Sequence, residues 1–138
     1  MRLDHIGVVV KDLGESKKYY QDYFGFNEFS PVIDEPEQKV KIVFVRADRP
    51  GTTDIELIEP QNEESAVYNF FKKTGGGIHH LAYEVDDLDA SIGHFKSRKA
   101  LPVGRIYPGA GHRGRRVIWF YTRSRELVEL IERAKENG

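Results

Sequence analysis

Ile6 to Val10 is an unbroken apolar run closed by Lys11 and Asp12, the pattern of a buried strand. The period then changes: Leu13, Tyr19, Tyr20, Tyr23 and Phe24 recur at near-helical spacing, with Asp12 or Ser16 placed to cap the first turn and Gly25 to stop it. Three further strands are expected over Glu28 to Ile33, Val40 to Ala47 and Asp54 to Ile58. Pro36-Glu37-Gln38 and Asp48-Arg49-Pro50-Gly51 separate them, so this part of the chain reads βαβββ. A linking helix is expected over Ser65 to Lys73, with Val67, Phe70 and Phe71 on one side and the triplet Gly75-Gly76-Gly77 at its end.

The pattern then restarts. His80 to Leu88 repeats the form of His5 to Leu13 at a constant offset of 75 positions, with His, Val, Asp and Leu recurring in place. Ser16 is matched by Ser91 and Tyr20 is answered by Phe95, which predicts a second helix from about Leu88 to Lys99. Ile55-Glu56-Leu57-Ile58-Glu59 returns as Val128-Glu129-Leu130-Ile131-Glu132 at an offset of 73, the difference falling in loops. A half of this size cannot cover both faces of its own small sheet, so the expected fold is α+β, a single domain over 1–138 made of two paired βαβββ modules. Module 1 is expected over about 1–62, the linker helix over about 63–76 and module 2 over about 77–134.

Composition narrows the chemistry. The 138 residues hold 21 Lys and Arg against 22 Asp and Glu, a formal net charge of -1, which gives no global field for nucleic acid or an anionic membrane. Without cysteine there are no disulfides, thiolate nucleophiles or zinc–thiolate clusters, so any metal is held by nitrogen and oxygen. Ile6 to Val10 is too short and too flanked by charge for a signal or a span, which reads as a soluble, cytoplasmic protein.

A strand's period of two puts His5 on a face with Gly7 and Val9, Glu56 with Asp54 and Ile58, and His80 with Ala82 and Glu84; His79 points the other way. One His and one Glu from each half therefore make an N2O2 set, His5, Glu56, His80 and Glu129, suited to a divalent Co, Mn, Ni, Fe or Zn. The plain alternative, strand-end histidines and solvent-facing glutamates, is disfavoured because both residues recur in corresponding strands. Glu37, in the turn between two strands, is a candidate proton-transfer group against the alternative of a solvated turn. Arg105, His112, Arg113, Arg115, Arg116, Arg123 and Arg125 lie among glycines between Gly104 and Arg125. They read either as a flexible basic loop and strand for phosphate or carboxylate, or as a solvated edge. Trp119, Phe120 and Tyr121 suit strand packing; no base-binding motif accompanies them. His94 and His112 have no repeat partner, and His94 reads as a helix-surface residue.

The chain resembles the vicinal oxygen chelate superfamily (glyoxalase, bleomycin resistance protein, dioxygenase), and within it most resembles the methylmalonyl-CoA epimerases. The likeness runs nearly full length. It is carried by Leu3-Asp4-His5-Ile6-Gly7-Val8, Asp12-Leu13, Tyr20, Phe24-Gly25, Pro36-Glu37-Gln38, Glu56-Leu57-Ile58-Glu59-Pro60, Ser65, Gly77-Ile78-His79-His80, Glu84-Val85-Asp86-Asp87 and Val128-Glu129-Leu130. The resemblance implies a curled mixed sheet around a metal, often in a homodimer, with metal ligands at His5, Glu56, His80 and Glu129 and a second catalytic carboxylate at Glu37. It also implies epimerisation of a 2-carboxyacyl thioester, with acyl-CoA as the small-molecule partner. Proton abstraction there gives a metal-stabilised enolate, with Glu37 and Glu129 as the two bases. A glyoxalase I-like lyase shares the same ligand pattern. A non-catalytic small-molecule binder is the alternative of another class.

Overall fold

The computed structural model describes residues 1–46 and 51–135. Among them are nine strands and three α-helices: β1 Arg2–Val9, α1 Leu13–Phe24, β2 Glu28–Phe29, β3 Ile33–Glu35, β4 Val40–Arg46, β5 Asp54–Pro60, α2 Tyr68–Thr74, β6 Gly77–Val85, α3 Leu88–Ser97, β7 Leu101–Pro108, β8 Arg116–Tyr121 and β9 Leu127–Glu132. A 3-10 turn spans Ala110–His112. The fold is α+β with mixed parallel and antiparallel pairing. Chain contacts divide it into two compact units, residues 5–79 and residues 80–138 with 1–4.

In the unit of residues 5–79, β1 runs parallel to β5, with His5 opposite Asp54 and Gly7 opposite Glu56. β4 lies antiparallel to β5 on its other side, placing Phe44 opposite Glu56, and β2 and β3 both pair with β4. Asp12 caps α1, its side chain accepting from the Glu15 N–H, and Gly25 ends it in the left-handed region. Leu13 seats this helix on one sheet face in a cluster with Val43, Val45 and Leu57. The opposite face carries Val9, Val40, Ile42, Phe44 and Ile58 with Val67 from the linking segment.

The other unit repeats the plan. β6 runs parallel to β9 with Ala82 opposite Glu129; β8 lies antiparallel to β9 with Trp119 opposite Glu129; β7 pairs with β8. Asp87 caps α3, its side chain accepting from the Ala90 N–H. Leu88 and Phe95 hold the helix on the face of Val85, Ile118, Phe120, Val128 and Leu130. Ala82, Tyr107, Val117, Trp119 and Ile131 occupy the other face.

Three expectations change in detail. Glu28 to Ile33 is not one strand: Pro31 offers no N–H to a ladder, and Ser30 is turned so that its hydroxyl accepts from the Phe44 N–H, splitting the run into β2 and β3. The linking helix starts at Tyr68, because the Ser65 hydroxyl and the Ala66 N–H are spent on the Gln38 carbonyl. Gly104 to Tyr121 belongs to the β7–β8 hairpin, with a 3-10 turn at its head, and residues 122–125 turn into β9, in place of the expected loop and strand. Of the expected Asp48 to Gly51 turn, residues 48–50 lie outside the described residues, as does Ala47.

Candidate metal centre

In each unit the His and Glu lie on the sheet face opposite the Asp-capped helix, α1 in one and α3 in the other; in the unit of 5–79 Phe70 and Phe71 of α2 pack on that same face. In the unit of 5–79, His5 and Glu56 are buried, and His5 Nε2 lies 3.6 Å from Glu56 Oε2. The His5 ring stands edge-on to Phe44, centroids 5.7 Å apart at 78°. In the other unit, His80 and Glu129 are likewise buried, and His80 stands edge-on to Trp119 at 4.5 Å and 80°. Trp119 in turn donates from Nε1 to the Tyr107 hydroxyl at 2.7 Å, which fixes the indole. The repeat thus extends beyond the candidate ligand residues. A His on the first strand of the half, a Glu on the last and an aromatic ring opposite that Glu on the strand just before it recur, and Phe44 and Trp119 keep the same 75-position offset as the histidines.

The alternation read from sequence holds. His80 is 3% exposed and His79 is half-buried, its ring edge-on to Phe70 at 5.0 Å on α2. His94 is exposed on α3.

His112, read from sequence only as one of the basic residues between Gly104 and Arg125, lies against Glu129. It is 7% exposed, and its Nε2 lies 2.9 Å from Glu129 Oε1. Close as they are, that buried oxygen accepts no hydrogen bond of acceptable geometry. A carboxylate oxygen taken out of water without a donor is costly, and such an atom in a native site calls for a specific account. A divalent cation supplies one: imidazole and carboxylate donors without thiolate are the set that Zn, Co, Ni, Fe and Mn accept. The residues present therefore fit a divalent metal.

Glu37 is exposed in the turn Pro36 to Lys39, its backbone N–H donating to the buried Glu35 carboxylate at 3.1 Å. That turn is well anchored. The Gln61 N–H donates to the Lys39 carbonyl, the Ser65 hydroxyl donates to the Gln38 carbonyl, and Lys39 Nζ pairs with Glu64. Of the basic residues between 104 and 125, two are committed within their own unit. Arg115 pairs with Glu84 at 2.8 Å, and Arg116 with Glu132 and Asp89. Glu132 first, then Asp89, raise the Arg116 guanidinium further above its already high ordinary value. The reading of these two arginines as phosphate ligands gives way to cross-strand and helix-tying ion pairs. Arg113, Arg123 and Arg125 are exposed.

Residues 4–120 match the family model described as the Glyoxalase/Bleomycin resistance protein/Dioxygenase superfamily, and the chain belongs to that superfamily. Several of the proteins it is similar to are epimerases. It is 36% identical over 132 residues to the mitochondrial methylmalonyl-CoA epimerase of Mus musculus, covering 94% of this chain and 71% of the mouse protein. It is 33% identical to the ethylmalonyl-CoA/methylmalonyl-CoA epimerase of Cereibacter sphaeroides, covering 94% of this chain and 96% of that one. A Streptomyces coelicolor methylmalonyl-CoA epimerase variant, solved in complex with 2-nitronate-propionyl-CoA, superposes with a TM-score of 0.85 at 27% identity, covering 98% and 99% of the two chains.

Proposed function

We propose that this chain is a metal-dependent epimerase of a 2-carboxyacyl-CoA thioester of the methylmalonyl-CoA kind. The observation that supports it is the twofold His, Glu and aromatic frame, buried in each unit on the face opposite α1 or α3, in a chain whose relatives include methylmalonyl-CoA epimerases. In this reading His5, Glu56, His80 and Glu129 hold one divalent cation.

The reaction removes the proton from the carbon between a thioester and a carboxylate and returns it to the other face. That proton is too weakly acidic for an unaided carboxylate. When bound, the cation supplies electrostatic stabilisation for the negative charge that develops on the substrate oxygens. The chain's own residues do the rest. The apolar faces around His5 and His80 exclude water, which strengthens every charge interaction there. Edge-on Phe44 and Trp119 hold the two imidazoles in orientation. Glu129 and Glu37 are assigned as the two proton carriers, one to each face of the reacting carbon. Glu37 is the exposed one of the two and sits on an anchored turn, whereas Glu129 is buried.

The deciding experiment incubates the metal-loaded protein with methylmalonyl-CoA in D2O, beside a glutathione hemithioacetal. Deuterium uptake at the substrate's second carbon, with interconversion of its two configurations, is the expected outcome. Conversion of the hemithioacetal without exchange into methylmalonyl-CoA would replace this reading with a glyoxalase I-like lyase. Binding of either compound without turnover would leave a binding protein.

A further inference from the structure

We infer that His112 is a positioning residue for Glu129, delivered to that carboxylate by a turn built for the purpose; the inference rests on the reading of Glu129 as part of the metal centre. The turn is closed on itself. The Gly109 N–H donates to the Arg115 carbonyl, the His112 and Gly114 N–H groups both donate to the Gly109 carbonyl, and the Arg115 N–H and Nε both donate to the His112 carbonyl. Arg115 then fastens the turn to β6 through Glu84. Arg113 and Gly114 take the left-handed conformation that the reversal requires. Gly109 makes room for the ring: a Cβ there would stand 2.9 Å from His112 Cδ2 and 3.2 Å from Val117 Cγ1. Asp4, which groups with this unit, offers a carboxylate oxygen within 4.8 Å of a His112 ring nitrogen. A side chain that only filled space would not need this scaffold, since an apolar residue fills space without a charged neighbour on either side.

Glu129 needs such a partner because the last torsion of a glutamate is broad and nearly two-fold, so the carboxylate turns at little cost unless something holds it. His112 Nε2 stands at hydrogen-bond distance from Oε1 but out of line with it. A small rotation about that soft torsion brings Oε1 into line with an Nε2–H. An sp2 oxygen has two lone-pair directions, so Oε1 accepts the N–H and keeps one direction for a cation. Partners of metal-bound carboxylates typically contribute about 10–100-fold in metal affinity or activity.

The test reads two quantities that do not depend on turnover. In metal-free protein, long-range nitrogen-15 NMR should place a proton on His112 Nε2, and Glu129→Gln should move that signal while the exposed His94 stays still. A bare Nε2 with the proton on Nδ1 alone would overturn the assignment. In calorimetric titration with cobalt(II), His112→Ala should weaken the metal about 10–100-fold at unchanged stoichiometry, and His112→Gln, whose amide donates from a similar place, should regain most of it. Wild-type affinity in the alanine variant would reduce His112 to packing. A change in the cobalt d–d bands that glutamine does not reverse would make it a ligand instead, also overturning the positioning role. If the alanine variant fails to fold, the NMR measurement on the unaltered chain decides. Protein that passes these tests yet exchanges no methylmalonyl-CoA proton would refute the proposed substrate and leave His112's role standing.

Discussion

His79 and His80 are adjacent in sequence and opposite in surroundings, and the difference gives a sharp test. His80 is buried against Trp119 on the strand face that carries the candidate ligands, while His79 turns to Phe70. His80→Ala should abolish retention of a co-purifying divalent metal, expected at about one per chain, and His79→Ala should keep it. Equal metal loss in both, read by elemental analysis, would dismiss the proposed ligand set. For Glu37 the expected separation is between metal and chemistry. Glu37→Gln should retain the metal and lose racemisation while slow exchange from one face persists; full epimerase activity would remove Glu37 from the mechanism. At this scale the ligand candidates were legible because a strand has period two and the chain repeats itself. His112 was not, because it belongs to one half only and its burial depends on a 3-10 turn. Its one local signal was the glycine bracket Gly109 to Gly114, which marks a tight reversal around His112 and Arg113.

Among elements, the two helices and the strands that bear the candidate ligands followed their sequence signals closely. Asp12 and Asp87 cap α1 and α3 at equivalent positions, and replacing either with alanine should cost about 1 kcal/mol. The expected Glu28 to Ile33 strand failed for a reason a pattern of apolar residues does not show, a serine hydroxyl competing for a ladder N–H next to a proline. A stronger prediction falls on the glycine triplet at the entry to β6. Gly76 has φ near 118°, and a Cβ there would lie 2.6 Å from the Val9 carbonyl oxygen, so β1 passes against bare backbone. Gly76→Ala should lower stability by about 3 kcal/mol or more in denaturant unfolding, from strain and overlap together. Gly77 has a similar φ of 120° with open space around it. Gly77→Ala should therefore lose only the conformational part, and equal losses in the two variants would show that the approach to Val9 does not matter.

For the whole molecule, near-neutral charge proved to be local pairing rather than absence of charge. Arg115 and Arg116 of the arginine-rich stretch, and Arg133 beyond it, each meet a carboxylate within their unit, so these three positive charges are spent on internal ion pairs. The composition holds a further consequence. Trp119 is the chain's single tryptophan, buried at 4% exposure, held by Tyr107 and set edge-on to His80. All of the protein's indole fluorescence therefore originates beside one of the candidate ligands, and the molecule carries its own optical reporter. Cobalt(II), whose open d shell drains excited states at short range, should quench that emission and saturate at about one equivalent, whereas closed-shell zinc should shift it with little loss. The His80→Ala variant should show neither response. Undiminished emission at cobalt saturation, with binding verified by calorimetry, would put the ion far from this ring.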